Sequence, residues 1–135
     1  MRKVLLTLVL MSAGLASGQT AKQWKTIQVK TVTGAAFQSG TIFTPAAAGL
    51  YRISATYVQN PSPAETVDSV ASFFWTDQLT IGAGASIKVS TANDNWGSAV
   101  FIFNPVIGKP VIYQVSVIEG NVTSYRLEFT LEKFE

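Results

Sequence analysis

The stretch Thr41-Ile-Phe-Thr-Pro-Ala-Ala-Ala-Gly-Leu-Tyr-Arg-Ile-Ser-Ala-Thr-Tyr-Val58 decides the fold class. From Leu50 onward its residues alternate in character. Tyr51, Ile53, Ala55 and Tyr57 share one parity, while Arg52, Ser54 and Thr56 share the other with Leu50 and Val58. A strand places successive side chains on opposite faces, so this alternation predicts a half-buried strand over Leu50–Gln59. Pro45 fixes its own φ and Gly49 permits positive φ, so the two bracket a tight corner after a short strand over Thr41–Thr44.

Working outward, the rest of the chain reads the same way. Lys25–Thr33 alternates Ile27, Val29 and Thr31 against Thr26, Gln28 and Lys30, and is read as a first strand closed by Gly34. Ala35–Gln38 reads as a bridging strand or bulge, with Ser39-Gly40 as a turn. Asn60–Glu65 carries two prolines and reads as a loop, since proline cannot donate to a ladder. Asp68–Thr76 has Val70 and Phe74 on one parity and Ala71, Phe73 and Trp75 on the other. Ser98–Phe103 is apolar on both parities as well, which predicts burial on both faces. Short strands are expected at Leu79–Ile81 and Ser86–Thr91, with Ala92–Gly97 as a turn cluster. Val111–Ile118 and Thr123–Lys133 alternate strongly around a hairpin turn at Glu119-Gly-Asn121. The whole predicts an all-β, two-sheet antiparallel β-sandwich with no helix.

The 135 residues allow one domain with its own core. Arg2 and Lys3 precede an apolar run from Val4 to Met11, and Ala16-Ser-Gly18 offers a small-residue cleavage site. That is the form of a secretory signal peptide over residues 1–18, leaving a single domain over 19–135. The apolar run falls short of the roughly 20 residues a membrane span needs, so no membrane span is expected after signal removal. Removing Arg2 and Lys3 from the ten basic residues leaves eight, equal to the eight acidic ones. A formally neutral mature chain without a basic cluster gives no reason to expect nucleic acid as a partner. Only 13% of residues are charged against 47% hydrophobic, so self-association is expected. The chain has no Cys, so its stability cannot rest on disulfides, and it has no His.

The spacing of Phe43, Gly49, Tyr51 and Ile53 resembles the best-known stretch of the C1q/TNF-like jelly-roll family. Gly108 to Tyr113 resembles the start of that family's penultimate strand, and Tyr125 to Phe134 its aromatic-rich last strand. The chain departs from the pattern at Ala36, where the family often carries an aromatic, and at Ile53 and Ala55. The resemblance implies a jelly roll assembled as a homotrimer with aromatics packed along the threefold axis. Together with the two-sided strands it makes Tyr51, Tyr57, Phe73, Trp75, Phe101, Tyr113 and Phe129 the interface candidates.

Catalysis finds little support in the residues. Without His or Cys there is no histidine base, thiol nucleophile or thiolate metal site. Glu128 and Glu132 share a strand face but stand about 13 Å apart, too far to act as a glycosidase pair. Asn93, Asp94 and Asn95 are calcium candidates as oxygen donors, set against the reading of an ordinary Asx-rich turn. Asp77 and Trp96 are ligand-loop candidates, able to meet a sugar or a protein partner. Asn121-Val-Thr123 fits a glycosylation sequon. No cofactor is expected. The functional expectation is a secreted, non-catalytic recognition or adhesion domain binding a protein or glycan ligand. A structural assembly protein of a fibre, surface layer or virion is the alternative.

Overall fold

The computed structural model describes residues 21–35, 37–61, 67–77, 83–90, 95–120 and 122–135. Eight strands follow one another: β1 (Trp24–Gly34), β2 (Gln38–Phe43), β3 (Tyr51–Pro61), β4 (Asp68–Trp75), β5 (Ala83–Ser90), β6 (Trp96–Phe103), β7 (Val111–Glu119) and β8 (Val122–Phe134). They form two four-stranded sheets, ordered β1-β8-β3-β6 and β2-β7-β4-β5. Every pairing is antiparallel. Odd and even strands interleave so that the first and last strands are neighbours in one sheet and β2 and β7 in the other. This is the strand order of a jelly roll. The described residues contain no helix. Residues 1–18, read as a signal peptide, residues 79–81, read as a short strand, and Ala36, Asn93, Asp94 and Asn121 lie outside the described residues.

β3 keeps the predicted alternation over its length. Tyr51, Ile53, Ala55, Tyr57 and Gln59 are buried and their even-numbered neighbours are not. β8 answers with Tyr125, Leu127, Phe129 and Leu131, and β7 with Val111, Tyr113 and Val115. Phe73 of β4 sits among them, 5.4 Å from Phe101 and 6.2 Å from Phe129 between ring centroids. Inward faces of two sheets thus interdigitate into one core, which is the dominant favourable term for folding.

This packing corrects the interface candidates. Tyr51, Tyr57, Phe73, Tyr113 and Phe129 are buried inside the chain's own sandwich, so they are not available to a partner copy. Trp75 and Phe101 are partly buried and pack against the same core. The physical reason is parity: Phe73 and Phe101 carry the inward phase of β4 and β6, and the outward phase falls to Val70, Phe74, Val100 and Ile102. β1 departs from expectation in the same sense. A register shift between Thr26 and Gln28 resets its phase, so Val29 turns outward and Val32 takes the buried position.

The corner before β3 is built as its residues imply. Gly49 has φ 148°, in the range that favours glycine. The hairpin between β7 and β8 turns at Gly120 with φ 74°. The Tyr51 hydroxyl donates to the Ala47 carbonyl oxygen at 2.9 Å, tying the corner to the strand it feeds.

Candidate binding site at the β4, β5 and β6 strand ends

At the end of the sandwich where β4 begins and β5 finishes, Asp68, Ser69, Lys88, Val89, Ser90, Trp96 and Ile118 line a hollow of about 380 Å³. Pairing explains how they meet. Asp68 lies opposite Ser90 and Glu119, and Ser69 opposite Val89 and Val117. Trp96 opens β6 opposite Val58. Trp96 and Ile118 are 58% and 63% exposed, so two large apolar groups flank the opening in water. Such groups are costly to leave uncovered and mark places where a ligand can be held.

Behind the hollow lies a buried polar chain. The Tyr57 hydroxyl donates to Ser69 Oγ at 2.9 Å. Ser69 Oγ in turn donates to Gln59 Oε1. Gln59 Nε2 donates to the Val67 carbonyl at 3.2 Å, and the Gln59 backbone N–H to the Asn95 carbonyl at 2.8 Å. Satisfied buried networks hold one geometry, so the hollow has a rigid floor. Burial pushes the Tyr57 hydroxyl pKa up, with the Ser69 hydrogen bond pulling partly back. Tyr125 is pushed up too, mainly by burial and then by the nearby Tyr113 and Tyr57.

Asp68 differs from its neighbours. Its Oδ1 is closed to solvent and meets no hydrogen-bond donor among the described residues. A buried acceptor left unmet costs about 1–3 kcal/mol. Trp75 Nε1 and Asn104 Oδ1 are also unmet, near the opposite end of β4, but neither lines this hollow.

A second, shallower hollow of about 700 Å³ crosses the outer face of the β1-β8-β3-β6 sheet. Val29 and Val100 stand at its two sides, and Thr31, Ser54, Thr56, Ser98, Glu128 and Thr130 supply hydroxyls and one carboxylate between them. At the end of this face Arg52 Nε donates to Glu132 Oε2 at 2.6 Å. The Arg52 guanidinium also lies 4.6 Å from the Trp24 ring, which packs on Phe134. The Glu132 hydrogen bond raises the Arg52 pKa, and the same bond holds the Glu132 carboxyl below its ordinary value.

The predicted ligand-loop residues part company. Trp96 lines the first hollow. Asp77 lies past the far end of β4, where it bridges to Pro105, roughly 30 Å from Asp68 by strand rise. Asn95, the one calcium candidate among the described residues, is exposed and gives its backbone carbonyl to Gln59. Among the described residues no group of three acidic, His or Cys side chains is placed to hold a metal. Sequence reading missed Asp68, Lys88 and Ile118. Their signal is weak, because only the pairing of β4 with β5 and β7 brings them to Trp96.

No family model matches the chain. No curated protein matches it. Among solved structures it is similar to TmCBM61 in complex with β-1,4-galactotriose, at 17% identity and a TM-score of 0.43, covering 84% of this chain and 89% of that one. The likeness does not place the chain in the C1q/TNF family.

Proposed function

We propose that the protein is a secreted, non-catalytic recognition domain that takes a protein or glycan ligand in the hollow beside Trp96 and works as a homotrimer. The single observation that carries the recognition reading is that hollow: an exposed Trp96 and Ile118 beside the lining carboxylate of Asp68, on a floor fixed by the Tyr57–Ser69–Gln59 chain. A rigid concavity with apolar walls and a few polar groups is the form small recognition sites take. Secretion rests on the signal-like start of the chain, with Arg2 and Lys3 before Val4–Met11. The number three rests on the resemblance to C1q/TNF-like jelly rolls. Screening the mature chain against immobilised extracellular glycans and proteins, beside Trp96→Ala, tests the reading. Ligands retained by the parent and lost by the variant are expected. A parent that captures nothing, or a variant that captures the same set, overturns it.

A second reading, in which subunit packing is itself the function, is favoured by the outer face of the β1-β8-β3-β6 sheet. Val29, Val100 and Ile102 stand there 70%, 62% and 59% exposed. Growth of particles or fibres with concentration in light scattering supports it, and a fixed small oligomer tells against it.

A further inference from the structure

The geometry points to a neutral pyranose as the ligand of the Trp96 hollow, with Asp68 as the group that receives its hydroxyls; this rests on the recognition reading above. Two features of different kind meet there. The first is an exposed indole at the rim. A flat aromatic in water offers its face to an apolar surface of similar size, and the C–H face of a six-membered sugar ring is such a surface. The second is the Asp68 side chain, which lines the hollow at the start of β4. A carboxylate only accepts hydrogen bonds, so a ligand group that meets it must donate. A sugar ring carries both properties on one rigid body, a C–H face for the indole and hydroxyls at its edge for the carboxylate. Hydrogen bonds to a charged acceptor are the stronger kind, so one such bond can set which hydroxyl arrangement is taken.

The rest of the lining fits the same ligand. Lys88 lines the hollow with Asp68, so a cation and an anion face the same space and a neutral ligand suits it better than a charged one. Ser69 is locked between Tyr57 and Gln59, so the floor is preorganised rather than adaptable. At about 380 Å³ the space suits one or two sugar rings, not a long chain buried along its length. The opening then favours a chain end or a short branch.

The test uses the mature protein with galactose, glucose and mannose and their linear trisaccharides, followed by calorimetry and tryptophan fluorescence. At least one of these sugars is expected to bind. Trp96→Ala and Asp68→Ala should each weaken it about tenfold or more, and Asp68→Asn by less than Asp68→Ala. Melting curves on all three variants show that the sandwich is intact. Binding should change little between low and high salt, since the ligand is uncharged. A sugar that binds equally well to both alanine variants overturns the site. If no sugar binds, but peptides bind the parent and not Trp96→Ala, the pyranose is wrong and the recognition reading stands. If neither sugars nor peptides bind, both fall.

Discussion

Ser69 stands between two partners, and its hydroxyl serves both: it accepts from Tyr57 and donates to Gln59. The consequences of losing each member therefore differ. Tyr57→Phe removes one donor and leaves Ser69 still donating to Gln59, so a cost of about 1 kcal/mol is expected. Ser69→Ala strands the Tyr57 hydroxyl and Gln59 Oε1 together, and about 2–3 kcal/mol is expected. Urea midpoints of the two variants should fall in that order. The raised pKa values of Tyr57 and Tyr125 add a pH dependence with a definite sign. Folding favours their protonated forms, so that share of stability is fully present below the ordinary tyrosine value of about 10 and is lost as pH rises through the raised folded values. Stability should fall above about pH 10, and Tyr57→Phe should flatten that fall. An unchanged alkaline profile in Tyr57→Phe would remove Tyr57 as a cause.

At the scale of elements, the corner and the strand it feeds make one unit. A side chain at Gly49 would have to adopt φ 148° and approach Lys133 Cε at 3.3 Å, so Gly49→Val is expected to cost about 1–3 kcal/mol. Tyr51→Ala empties a buried ring site and loses the bond to Ala47, and about 3 kcal/mol or more is expected. Denaturant midpoints equal to the parent's for both would refute this account of the corner. β3 was legible because Tyr51, Ile53, Ala55 and Tyr57 hold one parity against Arg52, Ser54 and Thr56, and β7 and β8 were legible because Val111, Tyr113 and Val115 in the one and Tyr125, Leu127, Phe129 and Leu131 in the other likewise hold one parity. β4 and β6 were legible as strands but not in which face turns inward, because Phe73 beside Phe74 and Val100 beside Phe101 leave either parity able to face the core. β5 starts earlier than read, because Ala83-Gly-Ala-Ser86 looks like turn composition yet pairs along Ser72–Trp75. Trp96 reads as part of an Asx-rich turn but is the first residue of a strand, and Asp68 and Lys88 gain meaning only through pairing that sequence does not print. The parity of β4 now changes what Phe73→Asp would do. It buries an uncompensated charge beside Phe101 and Phe129, so loss of folding by near-ultraviolet circular dichroism is expected, not a folded monomer.

For the whole molecule, the question is what covers the outside. The inward faces of both sheets are spent on the core, and 13% charged residues cannot solvate the remainder densely. Across the outer face of the β1-β8-β3-β6 sheet, register sets Val29, Thr130, Ser54 and Val100 in one row and Glu132, Arg52 and Ile102 in the next. The exposed valines lie at the two edge strands, and the ion pair lies between β3 and β8. A copy seated on either edge would cover apolar side chains without stranding that pair, since Arg52 and Glu132 already satisfy each other. An obligate contact needs on the order of 1,000 Å² per chain. Val100→Asp is the informative variant, because Val100 is 62% exposed and the charge enters water in a monomer. The monomer fold should therefore survive the change, while a subunit contact through β6 should not. Sedimentation of the mature chain at micromolar concentration is expected to give a species of three times the chain mass, and Val100→Asp a folded species of one. A folded, soluble monomer for the unmutated chain would sink the trimer. A trimer that persists in Val100→Asp would move the interface off β6 and onto Val29 at the opposite edge.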